Sequence, residues 1–85
     1  MQPQQITNQV IELIAEQTGL DSENIEPSMS LEEDLGLTDV DITSLLNKIN
    51  RVFEEVHLSQ DNLIENGVDN VAELIQLVID ELTFA

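Results

Sequence analysis

A run of apolar residues spaced three and four positions apart constrains this chain more than any other feature. The run extends from Ile42 to Val56, and most positions between its members are polar. Such spacing places apolar side chains on one side of an α-helix and polar side chains on the other. We therefore expect a helix that begins near Thr38 to Val40 and packs one face against a core. That stripe consists of Ile42, Leu45, Leu46, Ile49, Val52, Phe53 and Val56.

The same spacing recurs toward each end of the chain. A first helix is predicted from about Pro3 to Thr18, because Gly19 follows and glycine readily adopts the left-handed conformation that ends helices. A last helix is predicted from Asn70, which stands three residues before Glu73 in the capping-box arrangement. Its apolar stripe consists of Val71, Leu74, Ile75, Val78 and Leu82.

The region between the first two long helices is polar and irregular. Residues 21–30 contain apolar anchors only at Ile25 and Met29, and this composition is typical of a connector. Ser30 and Glu33 have the spacing of a capping box, which predicts a turn at the end of the connector.

The remaining segment and the absence of strand patterns decide the fold class. A short helix that carries Leu63 and Ile64 is predicted between Ser59 and Gly67. No segment shows the alternation of apolar and polar residues that half-buried strands require. The sequence therefore predicts an all-α fold, a small four-helix bundle with three longer helices and one short helix. We expect residues 1–85 to form a single domain.

The charge of the chain excludes several classes of partner. Eighteen Asp and Glu residues stand against two Lys and Arg residues, which gives a formal net charge of −16. A chain so acidic repels nucleic acid and anionic lipid surfaces, and its apolar runs are too short to span a bilayer. We therefore expect a cytoplasmic monomer that binds neither nucleic acid nor membranes.

The sequence also contains no residue pattern that is typical of a catalytic site or a metal site. The chain has no cysteine and one histidine, His57, so no thiolate or histidine cluster is available for zinc. Its acidic runs lack the alternating ligands and the central glycine of a calcium loop. No nucleophile, base and orienting acid form a recognisable set. We therefore expect a protein that is not an enzyme and that has no metal site.

The stretch from Glu33 to Asp41 reads Glu-Asp-Leu-Gly-Leu-Thr-Asp-Val-Asp. It resembles the modification site of acyl carrier proteins, usually written Asp-Leu-Gly-x-Asp-Ser-Leu-Asp. The apolar positions of that family's second helix fall without a gap on Leu45, Ile49 and Phe53, and residues 71–79 are similar to its last helix. The resemblance implies an acyl-carrier-like bundle associated with fatty-acid, polyketide or nonribosomal-peptide biosynthesis.

The resemblance places the family's attachment serine on Asp39, between Thr38 and Val40. In the family, that serine hydroxyl attacks the diphosphate of coenzyme A and becomes the phosphodiester that carries 4′-phosphopantetheine. A carboxylate would instead form a labile mixed anhydride, and its charge would oppose the approach of the diphosphate. We therefore predict that Asp39 is not modified and that the family's cofactor is absent.

Two interpretations of Asp39 remain open. One is that Asp39 is an ordinary acid at a helix N-terminus, where the helix dipole contributes about 0.3–1 kcal/mol. The other is that its charge imitates the phosphate of a modified carrier, so that partners meet a permanently charged protein without an arm.

The exposed side of the same helix is the predicted partner surface. Carrier proteins usually present acidic residues there, but here both cations of the chain, Lys48 and Arg51, occupy that side. They either form a small basic spot for a partner or pair weakly in water with Asp41, Glu54 or Glu55. The predicted partner-binding residues are Thr38, Asp39, Val40, Asp41, Ser44, Asn47, Lys48 and Arg51.

Three functions compete on these grounds. The first is a carrier-like scaffold or regulator that binds synthase-type enzymes without holding an acyl chain. The second is a working carrier, with the arm on Ser44 or Thr38 or with a ligand held non-covalently inside the bundle. The third is an acidic helical adaptor whose similarity to carriers is only architectural, because fold does not dictate function.

Overall fold

Four α-helices make up the computed structural model, which describes residues 2–84. Helix α1 packs against α2 and α4, and α2 also contacts α3. The predicted all-α bundle of three longer helices and one short helix is confirmed. The helices are α1 (Pro3–Thr18), α2 (Asp39–Val52), α3 (Gln60–Glu65) and α4 (Val71–Phe84), and a single 3₁₀ turn (Ser22–Asn24) lies between α1 and α2.

The ends of α1 and α2 follow the local chemistry of the sequence. Gly19 has a φ of 78° and ends α1, and its N–H donates to the carbonyl oxygen of Ala15. At the start of α2, the Thr38 hydroxyl accepts from the Asp41 N–H at 3.2 Å, while the Asp41 carboxylate accepts from the Thr38 N–H at 3.0 Å. This reciprocal pair is a capping box, and it fixes where α2 begins.

The core is built from aliphatic side chains and one phenylalanine. Each helix contributes most of the apolar residues that its spacing predicts, and no charged or polar residue of the described chain is fully buried. Burial of a single side chain of this kind is worth about 1.5–3 kcal/mol, so these stripes hold the bundle together. The completely enclosed members are Val10, Ile14, Ile49, Val56, Val71, Leu74 and Val78.

The predicted stripe of α2 is wrong at Val52, which is 47% exposed. Val52 is the last residue of α2, and Phe53 leaves the helix with φ −108° and ψ 88°. The chain then turns, so that Phe53 and Val56 are buried although neither lies within the helix. The buried side chains that follow Ile49 therefore belong to the turn and not to the helix, and Val52, at the end of α2, stays at the surface.

The connector after α1 is attached to the start of α4. The N–H of Leu31 donates to the carbonyl of Asp69 at 3.0 Å, and the N–H of Val71 donates to the carbonyl of Met29 at 3.0 Å. These bonds flank an isolated antiparallel bridge between Ser30 and Asn70. The connector therefore lies beside the bundle at a fixed place, as its buried anchor Ile25 also requires.

The turn at the end of the connector differs in one contact from the predicted capping box. The Ser30 hydroxyl accepts from the Glu33 N–H at 3.2 Å, as the spacing predicts. The N–H of Ser30, however, donates to the carboxylate of Asp34 at 2.8 Å rather than to Glu33. The carboxylate one position later completes this turn because the segment is a series of turns and not a regular helix.

A single asparagine closes the turn that follows α2. The Asn50 amide nitrogen donates to the Leu58 carbonyl at 3.0 Å, and the Asn50 side-chain oxygen accepts from the Leu58 N–H at 2.9 Å. Both contacts are partly buried, so Asn50 holds the chain that leads into α3 against the last turn of α2.

Candidate functional site

The first turn of α2 contains two aspartates with different surroundings. The Asp41 carboxylate accepts from the backbone N–H of Thr38, and this hydrogen bond holds the pKa of Asp41 below its ordinary value of 3.8. Asp39 is the first residue of the helix and is exposed. No side-chain hydrogen bond within residues 2–84 uses its carboxylate; those that accept at carboxylates use Asp34, Asp41, Glu73 and Asp80. Asp41 therefore serves the helix, whereas Asp39 presents its charge to solvent.

The other predicted partner-binding residues follow α2 along its outer side. Val40 is 75% exposed, which is unusual for a large apolar side chain. Ser44 and Lys48 are half-buried, and Asn47 and Arg51 are exposed. At about 1.5 Å per residue, the twelve positions from Asp39 to Arg51 separate the acidic start of the helix from its basic end by about 18 Å. The structure therefore places Thr38 at the N-cap of α2 and the other seven residues on that helix, with the acids in its first turn and the cations near its end.

Gln60, which the sequence did not single out, joins the start of α3 to the start of α2. Its amide nitrogen donates to the backbone carbonyl of Asp39 at 2.6 Å and to the hydroxyl of Thr43 at 2.6 Å. A carbonyl oxygen can only accept a hydrogen bond, so the nitrogen of the Gln60 amide, and not its oxygen, must face Asp39. No local signal identifies this contact, because the two residues are 21 positions apart in the chain.

A cavity of about 120 Å³ lies beside this link, between α2 and α3. Its walls are the side chains of Leu31, Ile42, Leu63, Ile64 and Val68, and its polar lining is Gln60 with the acids Glu32, Asp39 and Asp69. Four separate segments of the chain contribute to it. The predicted site residue Asp39 therefore lies at the edge of an apolar cavity that no single sequence motif describes.

The hydroxyl groups of this region bear on whether a phosphopantetheine arm could be attached. Attachment requires a hydroxyl that can act as a nucleophile. Asp39 has none, and the Thr38 hydroxyl accepts the Asp41 N–H of the cap. Ser44 lies more than one turn into α2 and is half-buried. An arm attached near this turn would therefore need either the Thr38 hydroxyl, which takes part in the cap, or the half-buried Ser44 hydroxyl.

The described chain shows neither a metal cluster nor a membrane span. Residues 2–84 contain no group of three or more His, Cys, Asp or Glu side chains placed to hold a metal ion. Within the same residues, no helix is both long enough and apolar enough to cross a membrane.

Comparison with known proteins identifies the family. The profile described as "Phosphopantetheine attachment site" matches residues 8–78. This chain belongs to the phosphopantetheine attachment site family.

Two curated relatives of the family cover nearly the whole chain. An acyl carrier protein of Phytoplasma mali strain AT is 32% identical over 80 residues, which cover 93% of this chain and 94% of the relative. An acyl carrier protein of Saccharopolyspora erythraea is 26% identical over 80 residues, which cover 94% of this chain and 81% of the relative. The resemblance read from residues 33–41 and from the helix order is therefore confirmed at the level of the family.

Proposed function

We propose that this protein is an acyl-carrier-like binding protein that is not phosphopantetheinylated and that serves synthase-type enzymes as a scaffold or regulator. The observation that carries the proposal is the exposed carboxylate of Asp39 at the first position of α2. The resemblance assigns the family's attachment serine to that position. A carboxylate there cannot form the stable phosphodiester on which the arm depends.

Membership of the family supports the choice of partners and the absence of catalysis. Acyl carrier proteins are carriers rather than catalysts, and carrier proteins interact with the synthase-type enzymes of biosynthesis. The curated relatives bear the name acyl carrier protein and match this chain over almost its full length. A carrier-like role in fatty-acid, polyketide or nonribosomal-peptide biosynthesis is therefore the best supported class of function.

The local contacts favour a recognition role for Asp39 over a purely structural one. The capping box is completed by Thr38 and Asp41, so the helix does not need Asp39 for its cap. The Asp39 charge lies at a helix N-terminus, which is also where the phosphate of a modified carrier would be attached in the family's register. In this proposal, a partner recognises the permanent negative charge of Asp39 in the place where a modified carrier has a phosphate.

The first test measures intact mass after the purified protein is incubated with coenzyme A and a broad-specificity phosphopantetheinyl transferase. An Asp39→Ser variant is treated in parallel, and circular dichroism verifies that both proteins remain helical. We expect the wild type to keep its mass and the variant to gain one phosphopantetheinyl group. Modification of the wild type would overturn the proposal, and mapping the adduct to Ser44 or Thr38 would establish a working carrier.

A second test addresses the charge of Asp39. Asp39→Asn keeps the shape of the side chain and removes its charge, and Asp61→Asn, an exposed position on α3, is the matched control. We expect Asp39→Asn alone to weaken binding to carrier-dependent synthase enzymes, measured by calorimetry across a panel. If every enzyme that binds the wild type bound Asp39→Asn with equal affinity, partners would not recognise the charge of Asp39, and this part of the proposal would be contradicted.

A further inference from the structure

We propose that Asn66, at the end of α3, is a site of spontaneous deamidation, and that the fold makes this reaction depend on the opening of α3. Asn66 is followed by Gly67, and both residues are exposed. The reaction converts the Asn66 side chain to a carboxylate and needs only water as co-reactant. This inference goes beyond the proposed function and does not depend on it.

The reaction is an attack of the backbone on a side chain. The nitrogen of Gly67 loses its proton and forms a bond to Cγ of Asn66. The bond between Cγ and Nδ2 then breaks, and Nδ2 takes up a proton and leaves as ammonia. Water opens the resulting cyclic imide at either carbonyl, so the product at position 66 is aspartate or isoaspartate. The net change exchanges an amide for a carboxylic acid, and nothing is oxidised or reduced.

The residue that follows the asparagine distinguishes Asn66 from the other asparagines of the chain. A side chain on the following residue would crowd the attacking nitrogen, and glycine has none. The space around Gly67 is also open, because a Cβ placed on it would meet no heavy atom beyond its chain neighbours within 4 Å. Each of the other asparagines precedes a larger residue, and these are Asn8, Asn24, Asn47, Asn50, Asn62 and Asn70.

The folded end of α3 engages both reacting groups elsewhere. The side-chain nitrogen of Asn66 donates to the Asn62 carbonyl at 2.8 Å, and the N–H of Gly67 donates to the Ile64 carbonyl at 3.2 Å. Ring closure requires the side chain to turn away from Asn62 and the Gly67 nitrogen to leave its acceptor. Both hydrogen bonds must therefore break first, so the reaction proceeds from an opened end of α3.

Helix α3 is held to the bundle by few contacts. It has six residues, and helices that short are not stable by themselves in water. Its buried residue is Leu63, and its first residue, Gln60, is fastened to α2 by two hydrogen bonds. Segments with few buried contacts open locally at a lower free energy than the core does. Opening of α3 therefore sets the rate at which Asn66 reacts.

The product changes the end of α3 permanently. A carboxylate at neutral pH has no proton to donate, so the hydrogen bond to the Asn62 carbonyl is lost. The new negative charge lies at the C-terminus of a helix, where the helix dipole disfavours it, and it shares a groove with Glu73 and Asp80 of α4. Deamidated protein therefore opens α3 more readily, and α3 forms one wall of the cavity beside Asp39.

The test incubates the purified protein at physiological pH and temperature and follows each asparagine by peptide mapping with mass spectrometry. We expect Asn66 to lose ammonia ahead of the other asparagines, and more slowly in the folded protein than in the protein unfolded in urea. Gln60→Ala should raise the folded-state rate about fivefold, the factor that corresponds to about 1 kcal/mol, and should leave the rate in urea unchanged. Gln4→Ala, which removes a hydrogen bond to Asn8 on α1, is the matched control and should change neither rate.

Three results would overturn the inference. One is an Asn66 that stays intact both in the folded protein and in urea. Another is a folded-state rate in Gln60→Ala that equals the wild-type rate, since opening of α3 would then not control the reaction. The third concerns Asn66→Asp, which carries the charge of the aspartate product: hydrogen exchange should show faster opening of α3 in this variant, and unchanged protection would mean that the modification does not loosen α3.

Discussion

The first turn of α2 is joined to the start of α3, and the last turn of α2 is joined to the segment just before α3, but in opposite ways. At the first turn, the amide of Gln60 comes from α3 and donates to the backbone of Asp39, while the Asp39 carboxylate stays exposed. At the last turn, α2 itself supplies the amide, and both polar atoms of Asn50 are used by Leu58.

The difference leaves opposite chemistry on the surface at the two ends. The first turn keeps the exposed carboxylate of Asp39, next to a cavity. The last turn carries Arg51 and the apolar Val52, both exposed, with the half-buried Lys48 one turn before. A partner that extends along α2 would therefore contact an acidic end and a basic end. Substitutions on the buried side of α2 and at each of its ends measure how firmly the helix is held.

The largest effect is expected from the buried side of α2. Leu45→Ala should lower the free energy of unfolding by about 2–5 kcal/mol, because it leaves a cavity in the core. Val52→Ala removes a side chain from the same helix that is 47% exposed, and it should change stability by no more than about 0.5 kcal/mol. Denaturant unfolding of both variants measures the difference; similar losses would mean that Val52 belongs to the core after all.

The next effect is expected at the last turn of α2. Asn50→Ala leaves the N–H and the carbonyl of Leu58 without their partners, and it should cost about 1–3 kcal/mol of unfolding free energy. Asn47→Ala, one turn earlier and exposed, is the matched control and should cost less than about 0.5 kcal/mol. If thermal or denaturant unfolding gave equal losses for the two variants, the Asn50 link would not contribute to stability.

A smaller effect is expected at the first turn. Gln60→Ala removes both hydrogen bonds to α2 and should cost about 1 kcal/mol, because the contacts are near the surface and water replaces them in part. Gln76→Ala, which loses a hydrogen bond within α4, is the control. Hydrogen exchange should show faster opening of α3 in Gln60→Ala alone, and unchanged protection of α3 would contradict the role assigned to Gln60.

The smallest effect is expected for Asp41, in the first turn of α2, and it is a change with pH in the free energy of unfolding. Its folded-state pKa is lowered from 3.8, so its contribution is fully present above that value and is lost as the pH falls through the lowered pKa. Wild type should therefore be more stable than Asp41→Asn near neutral pH, and the two curves should converge below pH 3.8. A difference that stays constant to low pH would show that the capping charge of Asp41 contributes nothing.

Sequence reasoning succeeded where the determining contacts are local. The apolar spacing, the left-handed Gly19 and the pair Thr38 and Asp41 all act within one or two helical turns, and the structure has each of them in place. The prediction that Val52 is buried is wrong because Phe53 and Val56, which lie in the turn after α2, fill the core beside Ile49. The roles of Asp39, Lys48 and Arg51 remain predictions.

The cavity and the two amide links were not predictable for a different reason. Gln60 contacts a backbone carbonyl 21 positions earlier, and the cavity combines residues from before α2, from α2, from α3 and from the segment before α4. Their juxtaposition depends on how the helices pack, which no spacing within one helix encodes. The polar character of Asn50 was visible in the sequence, but its partner was not.

The two hydrogen bonds between Asn50 and Leu58 hold the start of α3 through a side chain of α2, and not through the side chains of the turn that lies between them. The exposed residues Glu54 and Glu55 supply no side-chain hydrogen bond to this link, because a side chain on α2 fastens Leu58 directly. They lie within a turn that the Val56 N–H closes on the Phe53 carbonyl at 2.8 Å, between two buried side chains. A fluorescent label attached to a cysteine substituted at Glu54 or Glu55 should therefore report on this turn without disturbing α3, whereas an insertion between the two residues would open the turn.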